Sequence, residues 1–173
     1  VLPSIIPSSG WGYEWGNGPD WTSSIAIIPW NIYLFYGDLK LLTDCYQNIK
    51  RYVDHITDIS PEYITDWGLG DWVPVKSKTP KEFTSSIYYY VDATILAKTA
   101  LLLKKEEDFI KYSQLASKIK QQINARYFDP NTSLYGSGFQ TELSNALFWG
   151  IVPEKHREKV TQNLVKKVMT DNR

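Results

Sequence analysis

Six of the seven tryptophans of this chain lie in two segments, residues 11–30 and 67–72, where glycine and acidic residues surround them. Flat indole faces pack on the C–H face of a pyranose ring, and carboxylates accept hydrogen bonds from its hydroxyl groups. Glycines permit the sharp turns that bring such side chains together. The pattern therefore predicts a sugar-binding pocket built from loops. The alternative for any single indole is core packing, because aromatic side chains also dominate protein cores.

Composition narrows the class of protein. The 173 residues suffice for one domain with a sizeable core. With 19 basic and 19 acidic residues mixed along the chain, a nucleic-acid or anionic-membrane partner is not expected. Cys45 is the single cysteine, and His55 and His156 are far apart in sequence, so we expect no disulfide, metal or cofactor. The apolar runs are too short to span a bilayer. The compartment stays open between periplasmic, secreted and cytoplasmic in a bacterium.

The elements that must position the two loops are predicted to be helical, with little that indicates strand. A first helix is expected from Ser23 or Ser24, both good N-caps, to Tyr36, where Gly37 ends it. Pro29 lies inside this segment, and it either kinks the helix or marks its true first turn.

Apolar residues at helical spacing predict five further helices. They cover about 39–56, a long segment after the capping-box spacing Thr79-Pro80-Lys81-Glu82 (or from Thr84 or Ser85), 109–123, 141–149, and a last helix opened by Pro153. The six helices form three antiparallel pairs, which indicates a toroid or solenoid of helical hairpins. The long third helix is apolar on more than one face, as an inner helix of an α/α barrel would be.

An ordered series of motifs runs along the chain. It comprises Asp20-Trp21-Thr22-Ser23-Ser24, Pro29-Trp30, Tyr33, Tyr36-Gly37-Asp38, Tyr46 with Tyr52-Val53-Asp54, Gly70-Asp71-Trp72, residues 88–93, and Gln140-Thr141 with Gly150-Ile151-Val152-Pro153. In this order the motifs resemble those of bacterial α-L-rhamnosidases, over about residues 19–164. The resemblance implies an all-α fold in which helical hairpins form about half of an (α/α)6 barrel.

The resemblance also implies the chemistry of a glycosidase that removes terminal α-L-rhamnose with inversion. Inversion needs two carboxyl groups roughly 6.5–9.5 Å apart, one acting as acid and one as base. The family's motifs for this pair are absent from the sequence, and the chain begins with Val1 in place of Met. We therefore expect residues 1–173 to be one partial domain, the middle segment of a catalytic domain. Its partners would be a rhamnosylated carbohydrate and the remaining parts of the parent polypeptide.

By resemblance, the substrate-binding candidates are Asp20, Trp21, Ser23, Trp30, Asp71 and Trp72. Trp30 and Trp72 would wall the sugar pocket, and Asp71 would bind sugar hydroxyl groups. Many family members carry a sugar-contacting aspartate at the position of Ser23, and a neutral hydroxyl there weakens a charge-assisted hydrogen bond.

The remaining acidic residues divide into two groups. Asp38 is expected to cap the second helix, and Asp92 to make a helix-surface or interhelix contact. If the chain were catalytic by itself, Glu14, Asp20, Asp66 and Asp71 would be the credible acids and bases.

Two alternatives to a rhamnosidase remain at this stage. One is a different α/α-barrel carbohydrate enzyme, such as a glucoamylase-like or uronyl hydrolase relative, because one scaffold hosts many activities. The other is a non-catalytic carbohydrate-binding or helical-repeat module that is complete as it stands.

Overall fold

The helices of the chain follow one another as antiparallel hairpins. The computed structural model describes residues 4–7, 10–74 and 78–171. Its elements are α1 (Pro19–Thr22), α2 (Ser24–Tyr36), α3 (Lys40–Ile59), α4 (Lys81–Leu102), α5 (Glu106–Tyr127), β1 (Phe128–Asp129), β2 (Leu134–Tyr135), α6 (Gln140–Phe148), a 3-10 turn (Glu154–His156) and α7 (Arg157–Asp171). The helices pair as α2–α3, α4–α5 and α6–α7. The all-α prediction is confirmed, apart from the two-residue antiparallel ladder of β1 and β2.

Helix α4 is the centre of the packing. It contacts α1, α2, α3, α5 and α6, and its buried positions face more than one direction. The core around it includes Ile87, Leu96, Ile49 and Ile119, all without solvent exposure. Truncating one such side chain to alanine would cost roughly 2–5 kcal/mol. The prediction that the third long helix is apolar on several faces is confirmed, and the reason is that neighbouring helices cover it on several sides.

The first hairpin turns where the sequence predicts. Gly37 has a left-handed φ of 70°, and its N–H donates to the carbonyl of Tyr33, which ends α2. Asp38 then accepts a hydrogen bond from the N–H of Lys40 at 2.7 Å, but Leu39 takes the N-cap position of α3, so the predicted cap lies one residue too early. Pro29 lies inside α2, five residues after Ser24, so it does not mark the first turn of the helix.

Other predicted helix starts also need correction. Pro80 takes the N-cap position of α4 in an extended conformation, so Thr79 lies one residue too early to cap, and its buried hydroxyl has no hydrogen-bond partner. Thr84 and Ser85 lie inside α4 rather than at its start. The last α-helix begins at Arg157, after the 3-10 turn, rather than at Pro153. The one-turn helix α1 was not predicted, although proline at its first position favours such a turn.

One flank of the hairpin array is apolar and uncovered. Helix α2 is apolar on all sides, yet only Ala26 and Pro29 are buried. The side chains of Phe35 and Tyr36 are each 81% exposed, and Leu34 is 59% exposed. A helix of this composition is normally buried on every face. Part of its surface is therefore of the kind that another protein segment covers.

Candidate functional site

The two tryptophan-rich segments meet beside the first turns of α4 and α6. Asp20, in α1, is the residue that joins the segments. Its Oδ2 accepts hydrogen bonds from the backbone N–H groups of Leu69 and Gly70, both at 2.6 Å, and its Oδ1 accepts one from the Ser85 hydroxyl at 2.7 Å. Because Ser85 lies in the first turns of α4, this carboxylate fixes the second loop against two helices at once. Asp20 therefore organises the site, and both its oxygens are occupied by the protein.

Two glycines let the loops approach this closely. Gly18 (φ 144°) and Gly68 (φ 148°) lie with their backbones in contact, and a Cβ on Gly18 would stand 2.3 Å from the Cα of Gly68. A Cβ on Gly68 would stand 2.4 Å from Oδ1 of Asp20. Both positions combine a left-handed backbone with no space for a side chain, so glycine is required at each.

Four of the six clustered tryptophans form one continuous row. The ring centroids of Trp11 and Trp15 are 4.5 Å apart, those of Trp15 and Trp72 5.8 Å, and those of Trp21 and Trp72 6.1 Å. The last two pairs are edge-to-face, which is a favourable aromatic geometry. Trp11 and Trp72 are each more than half exposed. The row therefore presents indole surface to solvent next to backbone that Asp20 anchors at Leu69 and Gly70.

Asp71 lies at the edge of this row, next to Trp72 in sequence. Its Oδ2 accepts a hydrogen bond from the Thr141 hydroxyl at 3.1 Å, and its side chain is half-buried. Thr141 belongs to the first turn of α6, so this contact ties the loop before α4 to the third hairpin. The partnership of Asp71 with Thr141 was not predicted, since 70 residues separate the two and no local pattern connects them.

Trp30 and Trp67 lie apart from the row. Trp30 packs within α2 against Tyr33, at 5.6 Å between ring centroids, with the Lys98 ammonium 5.5 Å from its ring. Trp67 packs instead on Tyr52 and His55 of α3. The structure thus brings Trp21, Asp71 and Trp72 together, with Asp20 behind them, and leaves Trp30 in a separate helix contact.

Ser23 is buried at the junction of α1 and α2, where it is 1% exposed. Its hydroxyl donates to Oδ2 of Asp92 at 2.6 Å. Asp92 is fully buried, and this burial raises its pKa well above the usual range, an effect that the hydrogen bond from Ser23 partly opposes. Of the two roles expected for Asp92, the interhelix contact is confirmed and the helix-surface position is wrong. Because the Ser23 hydroxyl is buried and bound to Asp92, Ser23 offers no hydroxyl group at the surface.

The four acidic residues considered as an acid and base are not gathered into one site. Glu14 lies at a cleft of about 690 Å³ whose lining includes Tyr52 and Trp67. Asp66 lies at a separate shallow cleft beside Glu62, Glu82 and Arg126. Asp20 is occupied by its three donors, and Asp71 is the one beside the indole row. The described residues also contain no group of three His, Cys, Asp or Glu side chains that could hold a metal ion.

A buried glutamate supports the loop in front of α6. Glu142 has no solvent exposure, and its Oε2 accepts a hydrogen bond from the N–H of Phe139 at 2.9 Å. Burial raises the pKa of this carboxyl, while backbone N–H groups of the turn oppose the rise. Sequence reasoning missed this residue, although its place in the first turn of a helix is typical of N-terminal capping. Its role is to hold the turn that carries Thr141.

The fold and this site define a class of protein. Three helical hairpins, with an aromatic and acidic surface beside the first turns of α4 and α6, are the arrangement of an α/α-barrel domain. The chain belongs to the family of the bacterial alpha-L-rhamnosidase 6 hairpin glycosidase domain, whose model matches residues 1–173. Three hairpins of a six-hairpin domain are about half of an (α/α)6 barrel, which confirms the predicted fold class.

Curated relatives and solved structures agree with this family. An alpha-L-rhamnosidase of Formosa agariphila is 26% identical over 180 residues, which cover 97% of this chain and 18% of that protein. One of Streptomyces avermitilis is 26% identical over 167 residues, 95% of this chain and 16% of that protein. The present chain therefore spans less than a fifth of the length of either relative.

Two structures of alpha-L-rhamnosidases superpose on the chain. That of the enzyme from Dictyoglumus thermophilum does so with a TM-score of 0.83 at 30% identity, covering 93% of this chain and 19% of that one. The Streptomyces avermitilis enzyme, complexed with L-rhamnose, gives a TM-score of 0.82 at 24% identity, covering 88% and 15%. At that identity, the similarity to the Streptomyces avermitilis enzyme shows a shared fold only.

None of the helices in the described part of this chain has the length and apolar character needed to cross a membrane.

Proposed function

We propose that this chain supplies a sugar-contact face of a glycosidase that removes terminal α-L-rhamnose from glycans or glycosides by inverting hydrolysis. In this proposal Trp21 and Trp72 contact the sugar ring and Asp71 accepts hydrogen bonds from its hydroxyl groups. Asp20 holds their loops in place. The three hairpins belong to a larger catalytic domain, as the six hairpins of the family domain and the length of its relatives support.

The observation that carries the proposal is the exposed indole row next to Asp71. L-Rhamnose is uncharged and has an apolar methyl group, so its recognition rests on aromatic packing and hydrogen bonds to hydroxyl groups. Trp72 offers an exposed ring, and Asp71 offers a carboxylate one residue away. The backbone bonds to Asp20 fix both before any sugar arrives, which lowers the entropic cost of binding.

We further propose that the catalytic acid and base lie outside these 173 residues. An inverting pair must leave room for a water molecule between two carboxyl groups. Among the described carboxylates, those with raised pKa values, Asp92 and Glu142, are buried in structural contacts. Glu14 and Asp66 line different clefts. Asp71 is therefore the one candidate beside the indole row, and it is assigned to sugar binding.

The test begins with an intrinsic fluorescence titration of the chain with L-rhamnose, run beside D-glucose and D-mannose. A saturable response selective for L-rhamnose is expected. Trp72→Leu should weaken it about tenfold, which corresponds to about 1.4 kcal/mol. The matched control is Trp149→Leu, since the described ring contacts of Trp149 are with Tyr88 and Phe148 rather than with the row. Equal loss in both variants would contradict the assigned role of the row.

Activity is tested in the protein that contains this chain together with the rest of its catalytic domain. An aryl α-L-rhamnoside should be hydrolysed, and NMR of the first-formed sugar should show the anomer opposite to that of the substrate. Asp71→Asn should raise KM more than it lowers kcat, because it removes a binding contact rather than the acid or base. Retention of the anomeric configuration would refute the inverting mechanism.

A second candidate is a related α/α-barrel enzyme that acts on a different sugar. It is favoured by Ser23, whose hydroxyl is buried on Asp92 where many family members carry a carboxylate. A saturable fluorescence response to D-glucose or D-mannose, with none to L-rhamnose, would select this candidate and exclude the first.

A further inference from the structure

A single buried hydrogen bond connects the middle of α4 to the junction of α1 and α2. The Ser23 hydroxyl lies 2.6 Å from Oδ2 of Asp92, although 69 residues separate the two. Ser23 is 1% exposed and Asp92 is not exposed at all. A hydrogen bond this short, between groups shielded from water, resists disruption because neither partner can exchange it for a solvent contact.

Ser23 is the residue at which α1 ends and α2 begins. Its N–H donates to the carbonyl of Pro19, and its own carbonyl accepts hydrogen bonds from the N–H groups of Ala26 and Ile27. Its side chain caps neither helix. A serine at such a junction ordinarily uses its hydroxyl to cap the helix that follows. Here the hydroxyl points to α4, so Asp92 fixes the orientation of α1 relative to the core.

The orientation of α1 determines where Trp21 lies. Trp21 is two residues before Ser23 in the single turn of α1, and its ring meets that of Trp72 edge-to-face at 6.1 Å. One turn of helix has little stability by itself, because helix formation requires a costly first turn. Tertiary contacts must therefore hold α1. Asp20 supplies some of them, through its bonds to the second loop and to Ser85 of α4, and the bond of Ser23 to Asp92 holds the end of α1 that follows Trp21.

The surroundings of Asp92 favour a neutral carboxyl group. Its Oδ1 is buried without a hydrogen-bond partner. The Tyr52 hydroxyl faces Thr22 and Ser23 without completing a hydrogen bond to either. Burial is the main cause that raises the pKa of Tyr52 on α3 and of Tyr88 on α4, and negative charge on Asp92 or Asp20 would raise both further. Among the described residues, no cation is one of the groups that shift the pKa of Asp92, so its ionised form gains no compensating charge from them.

We propose that Asp92 is a positioning residue for the sugar subsite, which holds Trp21 against Trp72 through its hydrogen bond to Ser23. The role in sugar binding rests on the function proposed above. The positioning itself does not depend on that function, since it concerns only how α4 holds α1 and the Trp21 ring in place.

The positioning is tested without any ligand, by 19F NMR of the chain labelled with 5-fluorotryptophan. The Trp21 resonance is assigned as the one that is lost in Trp21→Phe. Ser23→Ala and Asp92→Leu are expected to shift or broaden the Trp21 resonance and to leave that of Trp149 in place. Asp92→Asn is expected to keep the Trp21 resonance at its parent position, because the neutral amide offers an oxygen that can accept the same hydrogen bond from Ser23.

The matched control is Thr57→Val. It removes the 2.7 Å hydrogen bond from the Tyr89 hydroxyl to Thr57, which also joins α4 to another helix but does not involve α1. This variant should lose stability without moving the Trp21 resonance. An unmoved Trp21 resonance in folded Ser23→Ala and Asp92→Leu would overturn the proposal. So would an Asp92→Asn variant that behaves like Asp92→Leu.

The consequence for sugar binding is measured with the same four variants. Ser23→Ala and Asp92→Leu should each weaken L-rhamnose binding about tenfold, while Asp92→Asn and Thr57→Val should bind as the parent chain does. If the parent chain binds no sugar but the Trp21 resonance responds as described, the proposed function fails and the positioning stands. If the parent chain binds and the Trp21 resonance does not respond, the positioning fails alone.

Discussion

The carboxylate of Asp20 lies 2.6 Å from the backbone nitrogen of Gly70, a residue 50 positions further along the chain. This contact, repeated at Leu69, makes one acidic residue of the first tryptophan-rich segment the anchor of the second. The side chains that face solvent at the site, Asp71 and Trp72, follow immediately after the anchored backbone. Their placement therefore depends on a residue whose own carboxylate oxygens are both bonded within the protein.

Replacing Asp20 by alanine should destabilise the chain by roughly 2–4 kcal/mol. The change leaves two backbone N–H groups and the Ser85 hydroxyl without their shared charged acceptor, and hydrogen bonds to charged groups are worth about 1.5–3 kcal/mol each. Urea denaturation followed by circular dichroism measures the loss. Asp38→Ala removes one exposed hydrogen bond to the first N–H of α3, so it serves as the control and should cost about 1 kcal/mol. Equal costs in the two variants would show that Asp20 is not an anchor.

Gly68→Ala should be more damaging than Gly37→Ala, although both residues have positive φ angles. A methyl group on Gly68 would meet Asp20 and the Ser85 hydroxyl at 2.4 and 2.7 Å, whereas nothing lies within 4 Å of one on Gly37. Gly37→Ala should therefore cost only the left-handed backbone strain, about 1 kcal/mol. Gly68→Ala adds displacement of the anchor, and it should lower the melting temperature further and abolish the sugar-dependent fluorescence change. If Gly68→Ala had the same melting temperature as Gly37→Ala, the close approach of Gly68 to Asp20 would be contradicted.

Asp92→Asn should stabilise the chain near neutral pH. Burial raises the folded-state pKa of Asp92 above its unfolded value near 3.8, so the folded chain binds the proton more tightly than the unfolded chain does. The stability that this provides is fully present below pH 3.8 and is lost as pH rises through the folded-state pKa. Within that window the loss is about 1.4 kcal/mol per pH unit. Asparagine is neutral throughout and escapes this loss.

Urea denaturation of the parent chain and Asp92→Asn from pH 3.5 to pH 8 tests this expectation. The difference between the two chains isolates Asp92, because other shifted carboxyl groups such as Glu142 and Asp108 are present in both. The variant should gain stability relative to the parent as pH rises. A constant difference across the range would mean that Asp92 has the same pKa folded and unfolded.

The exposed flank of α2 should make the isolated 173-residue chain bind a hydrophobic dye or self-associate. Contiguous apolar surface on a protein marks a place where another surface docks. Phe35→Glu should reduce the dye signal and shift the chain towards monomer in analytical ultracentrifugation. Ile110→Glu introduces the same charge at a half-exposed apolar position of α5, and it should change neither. A monomeric parent chain with no dye binding would contradict the prediction.

Local signals in the sequence determined the helices and the residue types of the site. Helical spacing of apolar residues fixed the main helices to within a few residues, because burial of one stripe depends on period alone. Gly37 correctly predicted the end of α2, and Asp38 was placed one residue too early as the cap of α3, although its side chain does bind the first N–H of that helix. The start of α4 was wrong because Thr79-Pro80-Lys81-Glu82 satisfies the spacing of a capping box while the extended conformation of Pro80 moves the cap by one residue.

The sequence by itself determined that tryptophan, glycine and carboxylate are concentrated in two segments of an α-helical hairpin protein, although Asp20, Trp21 and Trp30 of the first segment lie in helices rather than in a loop. Only the tertiary structure decided which of them face solvent and which are used internally. Asp20 and Asp71 look alike in sequence, each beside a tryptophan, yet one accepts three bonds from the protein and the other lies at the edge of the indole row. The same holds for Ser23 and Asp92, whose partnership spans 69 residues. Such assignments depend on which helices are packed together, and contacts between distant segments leave no periodic trace in the chain.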